Sequence, residues 1–144
     1  METKVNMIIG IGTDIIEISR IEKALSQTTT FFNKVYTDNE KSYYKENHKK
    51  VETLAGLFAA KEAVSKALGT GFRNFGTRDI EIIPNALGKP EVYLYGEAKK
   101  LSECLGIERI HISISHSKTY ATSFAVAEGG NSNETISTKA DAGD

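Results

Sequence analysis

The sequence predicts an α+β fold in which antiparallel strands pack on one long helix, and three observations carry that expectation. Residues 109–115 alternate strictly: Ile110, Ile112 and Ile114 fall on one face, His111, Ser113 and Ser115 on the other, the period of a half-buried strand. Residues 51–68 carry Leu54, Phe58 and Val64 on an apolar helical face and stop at Gly69, a residue suited to end a helix. Between two β-like runs, 79–83 and 91–95, lies Asn85-Ala86-Leu87-Gly88-Lys89-Pro90, the turn of a hairpin. Strands interspersed with helices and joined by hairpins belong to the α+β class.

The remaining elements follow in order. Residues 7–13 read as a strand ending at Asp14, and the helix after it places Ile18, Ile21 and Leu25 on one face. Thr37, with Glu40 three residues later, has the form of a capping box and opens a polar helix to about residue 48. Residues 97–105 form a helix closed by Gly106, and 120–127 form the final strand. After Glu128 the composition turns to Gly, Ser, Asn, Thr and other small residues, so 129–144 is expected to be a disordered tail behind a single domain, 1–128. The tail's three acids against Lys139 give it a net −2, leaving the domain near +1.

Composition bounds the function. A chain of 144 residues, 40% hydrophobic, supports one core, and 26% charged residues do not describe a disordered polymer. A net charge of −1 gives no global signal for nucleic acid or membrane. The apolar residues 7–11 are interrupted by Gly10, Gly12 and Asp14, too soon for a signal or a membrane span. Cys104 is the single cysteine, which excludes an intramolecular disulfide and a Cys-rich zinc site. It reads as a buried small hydrophobe of a reducing cytoplasm. Three histidines without H-E-x-x-H spacing argue against a zinc hydrolase. No Walker A motif, G-x-S-x-G elbow or Rossmann glycine fingerprint is present.

The residues able to carry chemistry are acids, lysines and glycines. Asp14 follows Gly10-Ile11-Gly12-Thr13, where glycines allow backbone to approach a ligand closely, and a carboxylate at a strand end suits a hard cation. The plainer reading makes Asp14 the cap of the next helix. Glu62 and Lys66 project from one helix face, and the plainer reading there is a solvated i,i+4 pair. Gly69-Thr70-Gly71 after that helix can offer N–H and hydroxyl groups to a phosphate. Ser115 and His116, with Ser117 and Lys118, add donors at a strand end. Two carboxylates from separate elements suit magnesium, which prefers few carboxylates together with waters and substrate phosphates. Lysine beside it suits phosphoryl chemistry, which needs positioning and charge more than a protein nucleophile.

Four segments taken together resemble the bacterial holo-acyl-carrier-protein synthases of the phosphopantetheinyl transferase superfamily. They are Ile9-Gly10-Ile11-Gly12-Thr13-Asp14-Ile15-Ile16-Glu17-Ile18, the helix from Phe58 through Lys61-Glu62-Ala63 and Lys66 to Gly69-Thr70-Gly71, the turn with Gly88-Lys89-Pro90, and Ile112-Ser113-Ile114-Ser115-His116-Ser117. The resemblance spans about residues 8–128. It implies the fold of that superfamily, and transfer of the 4′-phosphopantetheine arm of coenzyme A to a serine of acyl-carrier protein for fatty-acid biosynthesis. By position, Asp14 and Glu62 would hold Mg2+ with the coenzyme A pyrophosphate. Lys66 would stabilise the transferring phosphate and could assist proton transfer, and the proton acceptor would be Glu62 or a metal-bound water. Ser115 and His116 would meet the nucleotide end, Gly88-Lys89-Pro90 the adenine pocket, Gly69-Thr70-Gly71 the phosphates, and Arg20 the acidic carrier. The resemblance also implies a homotrimer with each active site between two neighbours.

One departure stands out. Many relatives carry Arg where this chain has Leu57; Lys61, Lys89, Lys118 and Arg73 are the candidate substitutes, with weaker 3′-phosphate binding as the alternative. Arg20 and Lys23 are offset by Glu17 and Glu22, so carrier docking weakens or leans on Lys41 and Lys45. The competing functions are a carrier-binding module without catalysis and a magnesium-dependent nucleotide hydrolase. Intact Asp14, Glu62 and Lys66 argue against the first.

Overall fold

The computed structural model describes residues 5–69, 71 and 74–131. Two antiparallel sheets pack around a central helix. Strand β1 (Val5–Glu17) leads into helices α1 (Ile18–Gln27), α2 (Thr29–Val35), α3 (Asp38–Glu46) and α4 (Val51–Ala67). A 3₁₀ turn (Thr77–Asp79), strands β2 (Ile80–Pro84) and β3 (Pro90–Leu94), helix α5 (Gly96–Cys104), β4 (Arg109–His116) and β5 (Tyr120–Asn131) complete the order. The three-stranded sheet runs β1-β5-β4, and β2-β3 form the expected hairpin.

Small residues set the spacing of helix and sheet. A Cβ on Gly10 would strike the Ala67 carbonyl, and one on Gly12 would strike the Ala63 carbonyl. β1 therefore lies directly on α4. From β5, Ala121, Ala125 and Ala127 are fully buried in the same core. α4 is buried nearly all round, Leu57 included, because the sheet, α1 and the β2-β3 hairpin surround it. One apolar stripe, as the periodicity suggested, would serve a helix on a surface.

Elsewhere the structure departs from the sequence reading at identifiable points. β1 continues through Asp14 to Glu17, so Asp14 is a strand residue and the next helix starts at Ile18 with Glu17 as N-cap. α2 was not foreseen: Thr28 caps it, accepting from the Thr30 N–H at 3.1 Å, but a seven-residue helix opening on threonines carries little periodic signal. β5 runs on to Asn131, because Val5, Asn6 and Met7 pair with Asn131, Gly130 and Gly129. The strand thus passes the domain boundary expected at residue 128, and the rest of the expected tail lies outside the described residues. Cys104 is exposed, and Ser102 takes the buried place on α5. The Thr37–Glu40 capping box forms as expected.

The sheet's other face is open. Ile8, Ile11 and Ile15 on β1 are 68%, 60% and 65% exposed, and Phe124 beside them on β5 is 49% exposed. Among the described residues no helix is long and apolar enough to cross a membrane.

Candidate active site

Strand alternation and two glycines bring the first acid to α4. Gly10 and Gly12 face the helix, so Asp14, two residues on, faces it too. There Lys66 Nζ donates to Asp14 Oδ1 at 3.2 Å and to the Thr13 carbonyl at 2.9 Å. Neither plainer reading survives: Asp14 caps no helix, and the Lys66 ammonium reaches across to β1. The glycines serve contact with the helix rather than with a ligand.

Glu62 completes the cluster. Burial is the main cause holding its carboxyl above the ordinary value, the negative charge of Asp14 adds to this, and Lys66 opposes it. The two acids thus sense each other although 48 residues separate them along the chain. Among the described residues no group of three or more His, Cys, Asp or Glu could cage a metal. A pair of partly buried carboxylates whose repulsion Lys66 offsets only in part matches magnesium's habit, in which water and substrate phosphate supply the other ligands. The donor set therefore fits the ion.

Of the other expected contacts, the Gly88-Lys89-Pro90 turn and His116 gather at the far edge of the sheet. A cavity of about 610 Å³ is lined by Gly88, Lys89 and Pro90 of the hairpin turn, Gly56 and Leu57 of α4, and His116 of β4. Gly88 holds φ 87°, which the turn requires, and Asn85 Oδ1 accepts from the Leu87 and Lys89 N–H groups at 2.9 and 3.1 Å. Ser115 does not share this cavity's lining; it registers with Thr122 on the face opposite to His116. β1, with Asp14, and β4, with the cavity-lining Ile112, Ile114 and His116, are the two edges of the sheet, and β5 lies between them. Asp14 stands opposite Ser123, which stands opposite Ile114.

The remaining candidates divide as follows. Gly69 and Gly71 adopt φ 86° and 61°, and their N–H groups donate to the Lys66 and Ser65 carbonyls at 2.9 and 3.2 Å. These amides therefore close the helix. Thr70 and Arg73 lie outside the described residues. Arg20 is exposed on α1, opposite the buried Ile18 and Ile21. Lys41 turns back onto Asn33 at 2.9 Å, whereas Lys45 stays exposed.

Lys61 is not a substitute for the missing arginine. It is fully buried and pairs with the equally buried Glu40 at 2.8 Å. This pair was missed in the sequence, although a lysine among Ala59, Ala60, Ala63 and Val64 signals a buried charge that must find a partner. Leu57 forms cavity wall, and Lys89 is the lysine that lines the cavity with it.

Comparison with known proteins agrees with the four segments. Residues 10–125 match the model of the 4′-phosphopantetheinyl transferase superfamily. A holo-[acyl-carrier-protein] synthase of Clostridium novyi is 50% identical over 133 residues, covering 92% of this chain and 96% of that one. The synthase of Clostridium beijerinckii is 55% identical over 122 residues, covering 85% and 98%. Among solved structures, the Plasmodium yoelii acyl carrier protein synthase with ADP bound superposes with a TM-score of 0.81 at 38% identity, covering 88% of this chain and 99% of that one. The Bacillus anthracis synthase in complex with CoA (3′,5′-ADP) gives 0.71 at 40% identity, covering 85% and 98%. By its sequence, its fold and the matches over nearly its whole described length, the chain belongs to the holo-[acyl-carrier-protein] synthases of the 4′-phosphopantetheinyl transferase superfamily.

Proposed function

We infer that this protein transfers the 4′-phosphopantetheine arm of coenzyme A to a serine of apo-acyl-carrier protein, making the holo-carrier of fatty-acid biosynthesis and releasing adenosine 3′,5′-bisphosphate. The observation that carries the reading is the meeting of Asp14, Glu62 and Lys66, two acids and a base from elements far apart in the chain. Membership of the family supports it. The carrier serine oxygen forms a bond to the β-phosphorus, and the bond from that phosphorus to the bridging oxygen breaks. The adenosine bisphosphate leaves with that electron pair.

Asp14 and Glu62 would hold Mg2+, which when bound neutralises charge on the pyrophosphate. Lys66, 3.2 Å from Asp14, supplies positive charge to the phosphate as it transfers. Glu62, whose carboxyl feels both Asp14 and Lys66, is the proposed acceptor for the serine proton. His116 and Lys89 offer donors to the nucleotide end within the 610 Å³ cavity, whose mixed walls also carry the polar Tyr43, Glu52, Thr53 and Ser113 beside Leu57, Ile82, Ile112 and Ile114. Arg20, exposed on α1, offers charge to an acidic carrier.

The complete site is proposed to lie between two neighbours of a homotrimer. Two observations support this: acid pair and cavity sit at opposite sheet edges, and Ile8, Ile11, Ile15 and Phe124 leave an apolar sheet face uncovered. The proposed location is the cytoplasm.

Incubation with coenzyme A, magnesium and an apo-carrier, read by intact mass, tests the activity. The carrier is expected to gain the mass of one phosphopantetheine arm. A carrier of unchanged mass, or adenosine bisphosphate released without any carrier, would overturn the assignment.

A further inference from the structure

The outer edge of β2 is closed by side chains rather than by a strand. β2 pairs with β3 on one side only. On the other side the Ile80 carbonyl accepts from Lys61 Nζ at 2.5 Å, and the Ile82 N–H donates to Glu40 Oε2 at 2.8 Å. Residues two apart on an edge strand present their main-chain groups in the same direction. Lys61 and Glu40 are themselves paired at 2.8 Å with no side-chain exposure. Lys61 also donates to the Thr77 carbonyl at 2.8 Å, and Glu40 Oε1 accepts from the Thr37 N–H at 2.9 Å. One cation from α4 and one anion from α3 thus stand where the donor and acceptor of a further strand would stand.

The clamp is built into the wall of the cavity. Ile82 lines that cavity and is also the partner of Glu40. Leu57, four residues before Lys61 and therefore on the same helix face, lines it from the other side. A buried ion pair is not by default a source of stability, since desolvation offsets its attraction. Apolar side chains of equal size would fill the same space, but they would leave the Ile80 carbonyl and Ile82 N–H without partners.

We propose that Lys61 and Glu40 are positioning residues of the nucleotide cavity. By gripping the edge of β2 they fix how far the hairpin wall, with Lys89, stands from the α4 wall, with Leu57. They thereby set affinity for the nucleotide end of coenzyme A without touching the reacting atoms. The inference rests on the reading of that cavity given under Proposed function.

Two measurements on the full chain test it: steady-state kinetics with coenzyme A, magnesium and apo-carrier, and calorimetric binding of adenosine 3′,5′-bisphosphate without carrier. In Glu40→Gln, KM for coenzyme A and Kd for the bisphosphate are expected to rise about tenfold together, with kcat held within about threefold. A purely structural role would instead lower the active fraction, so that kcat falls while KM and Kd stay, and that result overturns the proposal. Glu40→Gln leaves the Lys61 charge buried and unpaired, so the paired exchange of Lys61→Met with Glu40→Leu is the second variant. It removes both charges, is expected to fold, and is expected to show the same rise in Kd. A folded paired variant with wild-type Kd, or a paired variant that does not fold, overturns the proposal. Lys89→Ala and His116→Ala separate the two readings. If they leave Kd unchanged, the cavity assignment itself fails. If they raise Kd and the Glu40 variants do not, only the positioning role fails.

Discussion

Lys66 Nζ lies 3.2 Å from Asp14 Oδ1, joining residues 52 positions apart. The contact exists because β1 lies on α4, and β1 can lie there because Gly10 and Gly12 have no side chains to strike the Ala67 and Ala63 carbonyls. A strand-to-helix approach set by glycine thus places the acid of one element beside the base of another.

That dependence makes Gly12→Ala informative. The new methyl group meets the backbone of α4, which cannot step aside as a flexible side chain would. A loss of about 1–3 kcal/mol is expected, as for overpacking in a well-filled core. Because the displaced strand carries Asp14, activity should fall further than the folded fraction does. Urea denaturation and transfer assays on the same preparation measure both.

Glu62 governs a pH dependence. Burial first, and Asp14 second, hold its folded carboxyl above the ordinary 4.5. The folded, metal-free protein therefore keeps that proton more tightly than the unfolded chain does. The resulting stability is complete below 4.5 and is lost as pH rises through the folded value. Glu62→Gln should flatten this decline in urea melts recorded across acidic pH in chelator. Asp14→Asn removes one cause of the shift, so the Glu62 carboxyl should titrate lower in carbon-detected NMR. Adding magnesium should raise the melting temperature of the wild type and leave Asp14→Ala unmoved.

Lys66→Met separates catalysis from folding. Its ammonium is half exposed beside Asp14, and a pair of that kind contributes about 0–1 kcal/mol. Stability should barely change. Loss of positive charge at the transferring phosphate should lower kcat by about 10²–10³-fold, the range found for removal of one electrostatic contact to a transition state. KM for coenzyme A should stay near the wild-type value. Rapid-quench mass analysis under saturating coenzyme A reads the step directly.

A mixing experiment tests the shared site. Asp14→Ala disables the acid pair and His116→Ala the cavity, which lie at opposite edges of one sheet. Each variant alone should be poorly active. Co-refolded together they should regain activity, because some interfaces then combine an intact acid pair with an intact cavity. Phe124→Glu, placed on the open apolar face, should give a monomer by light scattering and no such recovery.

The two kinds of information divided along physical lines. Elements with a strong local signal were legible in the residues: the Thr37–Glu40 capping box, the alternation ending at His116, the Gly88-Lys89-Pro90 turn and the helix stop at Gly69. Each depends on contacts within a few residues, which spacing records. The four family segments identified the chemistry for the same reason, since each is a short run whose residue types carry it.

The sequence by itself determined the α+β class, the family, and the candidate roles of Asp14, Glu62 and Lys66. Only the tertiary structure decided that Gly10 and Gly12 serve α4, that Lys61 is buried against Glu40 rather than available to a phosphate, and that the acid pair and the cavity occupy different edges of one sheet. Those outcomes depend on which distant backbone or charge comes to lie within a few ångströms. Periodicity along a chain does not encode that distance; it is set when the sheet closes over the helix.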